Sequence, residues 1–260
     1  MAAVAPKELT CRDFRNMGFF HESDQSTEQL QEFIDNHPDI NINARCPNYF
    51  YYRPLEFLLL PNTIKRRERI EILLKKGADP NLPRYGGGTL LYQLCMMDPD
   101  PKIVYLLVEY GANINAITHS SYAQDSTPLH AAGDSGITDK DFILALLDCG
   151  ANINAIDSRG CSPIYYFIRN NAPLPIIDLM IQRGATGIIP HDCPEEMVIY
   201  LIYHGFDYTN MQINLLRKYK DVIIQYNRER VKLITENTPL PIALASTIIR
   251  WLDPNSEFLM

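Results

Sequence analysis

Residues 106–116 read LLVEYGANINA, and residues 146–155 read LLDCGANINA. Residues 73–81 (LLKKGADPN) and 179–186 (LMIQRGAT) carry the same phrase with substitutions. The glycines that anchor it, Gly77, Gly111, Gly150 and Gly184, are separated by 34, 39 and 34 residues. Degenerate copies stand at 33–44 (FIDNHPDININA) and 201–207 (LIYHGFD). A second phrase alternates with the first. It is intact as TPLHAA at 127–132 and weaker around Pro54, Thr89 and Ser162. Two interleaved signals at one spacing identify an internal repeat, and such a repeat decides the fold ahead of any local propensity.

Each unit has a physical reading. Thr127 and Ser162 are N-cap residue types, and Pro128 and Pro163 suit a first helical turn, where a missing N–H costs nothing. A short first helix follows. A second helix carries Ile143, Leu146 and Leu147 at the i, i+3, i+4 spacing of one apolar face. Gly150 supplies a left-handed stop. The Asn-Ile-Asn-Ala stretch leaves as an extended arm, and a turn such as Asp157-Ser158-Arg159-Gly160 reverses it. One unit cannot bury its own apolar side, so neighbours must stack.

Composition narrows the function classes. The chain has 260 residues, 46% hydrophobic and 21% charged, which suits a globular domain rather than a disordered one. Its net charge of −7 argues against a nucleic-acid partner and against docking on anionic membrane. Cys11, Cys46, Cys95, Cys149, Cys161 and Cys193 include no CxxC spacing, so reduced thiols and a cytoplasmic location are expected. The first residues show no signal-peptide core, and no run is long enough to span a membrane.

Thr127-Pro128-Leu129-His130-Ala131-Ala132, Gly111-Ala112-Asn113-Ile114-Asn115 and Gly150-Ala151-Asn152-Ile153-Asn154 resemble the ankyrin-repeat family, and the resemblance extends over about residues 25–210. It implies an all-α solenoid: stacked helix pairs with hairpin fingers along one edge. On this basis residues 1–44 are expected to form an N-terminal capping repeat with Leu30, Phe33 and Ile34 on a helix. Residues 45–210 hold about four repeats, the last degenerate, and residues 211–260 form a helical C-terminal segment. The finger from Ile117 to Asp125 is expected to carry an insertion. Residues 188–194 (IIPHDCP) replace a first helix with irregular chain. In the family the histidine of the TPLH phrase is structural, so His130 is expected to bond backbone and the Thr127 hydroxyl.

The C-terminal segment differs from the repeats. Residues 211–234 place Leu215, Leu216, Tyr219, Val222, Ile223 and Tyr226 at helical spacing, with Arg217, Lys218, Lys220, Arg228, Arg230 and Lys232 opposite. After Thr238-Pro239, the stretch from Leu240-Pro241 through Ile248-Ile249 to Trp251-Leu252 resembles the start of an F-box. It is similar to the truncated form at the end of ankyrin proteins from poxviruses and some intracellular bacteria. Pro239-Leu240-Pro241 is also similar to a suppressor-of-cytokine-signalling box, though no cysteine-bearing helix precedes it.

No chemistry-bearing motif competes. His191-Asp192-Cys193 offers two soft ligands where zinc takes about four, and Gly86-Gly87-Gly88 lacks the Lys-Ser/Thr of a phosphate loop. Neither metal nor cofactor nor enzymatic activity is expected. The candidate sites are for protein. Tyr49, Phe50, Tyr51, Tyr52 and Arg53 fall at a finger, with Arg84, Tyr85, Tyr122 and Arg159 at the next ones, and Tyr and Arg dominate interface energetics. The resemblances imply an adaptor. Its stack would bind a target protein, and Leu240, Pro241, Ile248, Ile249, Trp251 and Leu252 would engage a Skp-type adaptor of a cullin–RING ubiquitin ligase. The setting they imply is a pathogen effector or host-range factor. The alternative is a simple binding or sequestering protein with a helical cap.

Overall fold

The computed structural model describes residues 26–46, 51–58, 65–84, 87–118, 125–190 and 193–206, with single positions 13 and 225. Ten helices fall among them: α1 (Ser26–Asn36), α2 (Pro54–Phe57), α3 (Arg66–Lys75), α4 (Leu90–Met97), α5 (Pro101–Glu109), α6 (Pro128–Asp134), α7 (Lys140–Asp148), α8 (Pro163–Arg169), α9 (Leu174–Gln182) and α10 (Glu195–Tyr203). The chain divides into two compact units, Met1–Ala185 and Thr186–Met260.

In the first unit the helices pair as α2/α3, α4/α5, α6/α7 and α8/α9. The shorter first helices stack α4 on α6 on α8, and the second helices stack α1 on α3 on α5 on α7. Capping sets the starts. The side chains of Asp100 and Asp139 accept the amides of Lys102 and Asp141, each at 2.9 Å. Pro128 and Pro163 open α6 and α8 as their ring geometry allows. The core between the layers is apolar, with Leu91, Leu94, Ile103, Leu107, Phe142, Ile143, Leu146, Phe167 and Ile177 fully or almost fully buried. On α7 the buried face is Phe142, Ile143, Ala145 and Leu146, and Leu147 is half-buried rather than central as its spacing suggested.

The Gly-Ala phrase ends every second helix in the same way. At Gly111 the backbone is left-handed (φ 86°), its amide bonds Val108 O and the Ala112 amide reaches Leu107 O, both at 2.9 Å. The Ala78, Ala151 and Ala185 amides close equivalent bonds to Leu73, Leu146 and Met180. This is a Schellman stop, which needs a residue tolerant of positive φ before the alanine.

The asparagines then tie repeat to repeat. Asn43 Nδ2 donates to Gly77 O (3.0 Å), and its Oδ1 accepts the Asp79 amide (2.8 Å). Asn81 does the same to Gly111 O (2.8 Å) and the Asn113 amide (2.7 Å), and Asn115 to Gly150 O (2.9 Å) and the Asn152 amide (2.7 Å). Asn154 continues the series to Gly184 O (2.9 Å). Asn43, Asn81 and Asn115 therefore each satisfy a carbonyl and an amide at the helix stop of the following repeat, and Asn154 satisfies the Gly184 carbonyl.

The fingers are closed at their bases by backbone bonds: Cys46 N–H to Tyr52 O, Arg84 N–H to Gly88 O, Thr118 N–H to Ser126 O and Asp157 N–H to Cys161 O. The Thr118–Ser126 rung is an isolated antiparallel bridge, and no named strand occurs among the described residues. It closes the finger in which the sequence places its insertion. The Asp157 turn forms as expected, with Asp157 Oδ1 accepting the Arg159 and Cys161 amides (both 2.9 Å). In the second unit, Ile189, Cys193, Val198, Leu201, Ile202 and Phe206 are buried, and α10 ends at Gly205 with the same Schellman geometry. The Cys193 amide bonds Pro190 O (3.2 Å) just ahead of α10.

Candidate partner-binding surface

The first two fingers bring three arginines together. Arg45 donates to Tyr51 O (3.2 Å) and Pro83 O (2.5 Å). Arg53 donates to Asn43 O (3.0 Å), Pro83 O (2.9 Å) and Glu56 Oε1 (2.6 Å). Arg84 lies over the Tyr52 ring, 5.0 Å from its centroid, with Nε 3.8 Å from Glu56 Oε2. Glu56 is buried on α2. Sequence placed Arg53 and Arg84 at successive fingers as partner-binding candidates. The structure turns both inward onto Glu56, because a buried carboxylate needs charged partners.

Tyr51 is exposed and Tyr52 half-buried. Tyr51 also holds φ at 58°, a strained value for a bulky side chain and a kind of outlier that collects at binding sites. Arg159 is exposed on the last finger. Tyr49, Phe50, Tyr85 and Tyr122 lie outside the described residues, as do Leu240, Pro241, Ile248, Ile249, Trp251 and Leu252.

Two exposed residues escaped the sequence reading. Ile117 (53% exposed) and Ile156 (63%) are the largest apolar exposures among the described residues. Each sits two positions after a ladder asparagine, Asn115 and Asn154, which is the register of Arg45 and Pro83 in the earlier repeats. The signal was present in the alignment of the repeats, since an isoleucine just beyond the second asparagine leaves the buried arm.

His130 is fully enclosed. Its Nδ1 meets the Thr127 amide (3.2 Å) and hydroxyl (2.8 Å), and its Nε2 meets Cys161 O (3.1 Å). A carbonyl at Nε2 requires the proton there, so Nδ1 accepts. Burial lowers its pKa below the ordinary value. Tyr166, edge-on to the ring, donates to buried Asp157, and burial with that bond pushes its phenol up. The arrangement is structural: it locks the α6 start to the next finger.

No helix among the described residues is long and apolar enough to cross a membrane. A family model described as "Ankyrin repeats (3 copies)" matches residues 61–157. Two curated proteins named "Ankyrin repeat protein OPG189" are similar, one from Variola virus (isolate Human/India/Ind3/1967) and one from Variola virus. Each is 33% identical over 142 residues, covering 54% of this chain and 24% of the relative. The aligned part is thus about a quarter of the length of those relatives. With the paired helices, Gly-Ala stops and asparagine ladder, these similarities establish the fold of the first unit as an all-α ankyrin-repeat solenoid.

Proposed function

We propose that this protein is a binding adaptor. Its finger edge holds a target protein, and Leu240 to Leu252 engages a Skp-type adaptor of a cullin–RING ubiquitin ligase. The observation that carries the first half is the finger edge itself: Ile117 and Ile156, exposed at one register position of two repeats, with exposed, strained Tyr51 on an earlier finger. Apolar and aromatic side chains presented in this way are the anchors from which interfaces are built. The second half is supported by the Leu-Pro entry at Leu240-Pro241 and the apolar set Ile248, Ile249, Trp251 and Leu252. The similarity to Variola virus ankyrin repeat proteins supports a viral, host-directed setting.

Affinity capture with the full chain, with Leu240→Ala/Trp251→Ala and with residues 238–260 removed tests the ligase link. The proposal expects Skp and cullin components on the full chain and their selective loss from both variants, with the target retained. A full chain that never captures them leaves a binding or sequestering protein.

A further inference from the structure

The target's chemistry is legible at the first two fingers. Arg45, Arg53 and Arg84 converge there, and Glu56 is the one carboxylate that they contact among the described residues. Residues 40–53 and 80–92, which build both fingers and their flanks, contain no Asp or Glu, although the chain has 31. Of the two aspartates that border these stretches, Asp39 and Asp79, the second accepts the Asn81 amide (2.8 Å). Arg45 bonds only neutral carbonyls among its hydrogen bonds, and Arg84 Nε is buried without a hydrogen-bond partner, 3.8 Å being too long for one. Three guanidinium charges thus face one carboxylate inside a chain whose net charge is −7.

We infer that Arg45, Arg53 and Arg84 form a carboxylate-recognition subsite and that the target meets it with an acidic, Asp/Glu-bearing segment. This rests on the finger edge being the target-binding surface. A guanidinium presents a planar fork that a carboxylate matches with two parallel bonds. Arg84 lies over the Tyr52 ring, 5.0 Å from its centroid, which restrains its fork in advance and lowers the entropy lost on binding. Arg53 and Arg84 share the single Glu56 carboxylate and Arg45 meets none, so the cluster keeps an excess of positive charge. The acidic remainder of the chain repels an acidic segment and directs it to this positive spot.

Fluorescence anisotropy of a labelled oligoglutamate peptide with the full chain tests the inference. Wild type is expected to bind, and to bind more weakly as salt is raised. Arg84→Gln, which leaves the Arg53–Glu56 pair intact, is expected to weaken binding about tenfold. Glu56→Gln removes the competing carboxylate and is expected to tighten binding severalfold, a sign that general loosening of the fold cannot produce. Arg183→Gln, on a distant ion pair with Asp148, is the control expected to leave binding unchanged. If Glu56→Gln lowers the melting temperature, the comparison of Arg84→Gln with Arg183→Gln decides. Absence of oligoglutamate binding, equal losses in those two variants, weaker binding in a folded Glu56→Gln, or binding of a phosphoserine peptide in place of oligoglutamate would each overturn the inference. Target capture that depends on Ile117 and Ile156 but not on Arg84 would overturn it while leaving the finger edge as the binding surface.

Discussion

His130 is surrounded by groups that suit only its neutral ring. A proton on Nδ1 would point at the Thr127 amide, which is itself a donor. Burial, the largest influence, holds the folded pKa below the ordinary histidine value of 6.5, while the Cys161 carbonyl and Asp157 pull the other way. The unfolded chain therefore binds the proton more readily. The His130 contribution to stability is complete above pH 6.5 and declines as pH falls below it. Urea midpoints should drop between neutral pH and mildly acid pH, and His130→Ala should start lower and show a shallower drop. Equal acid sensitivity in both would contradict this. Gly133 makes a second sharp case. A Cβ there would stand 2.9 Å from the Phe167 ring and 3.0 Å from the Phe167 amide nitrogen. Gly133→Ala should therefore destabilise by about 1–3 kcal/mol, read from the shift in urea midpoint, despite alanine's better helix propensity. The Thr-Pro-Leu-His phrase made the His130 contacts legible in advance. The inward turn of Arg84 was not legible, because Glu56 pairs with it across a repeat boundary and no local pattern marks that pairing, whereas Arg53 meets Glu56 at a local i, i+3 spacing.

The helix pairs were readable because their stops are periodic: a Gly-Ala step ends α3, α5, α7 and α9 alike. The burial of Phe142 and Ala145 beside Ile143 was harder to read, since both layers of the stack contact α7 and widen its apolar face beyond one stripe. The asparagine ladder was visible as a repeated letter, but its bonds run to residues a full repeat away and only stacking reveals them. Asn115 makes two of them, to Gly150 O and from the Asn152 amide. Asn115→Ala should cost about 1–2 kcal/mol, modest because these bonds are partly wet. It should also speed hydrogen exchange at the Asn152 amide more than at α7 core amides. Unchanged exchange at Asn152 would show that the ladder does not couple the repeats.

Because each repeat touches only its neighbours, the first unit can vary its finger tips without disturbing its core. That freedom lets the fold be read from its periodic core, whereas the exposure of Ile117 and Ile156 shows only once the repeats are aligned on Asn115 and Asn154. It also sets the most direct test of the finger edge as a protein-binding surface. Target capture from cell lysate should be compared between wild type and Ile117→Asp/Ile156→Asp, with thermal melts on both. The account predicts loss of the specifically captured protein and an unchanged melting temperature, since neither side chain is buried. An identical captured set from a folded double variant would contradict it.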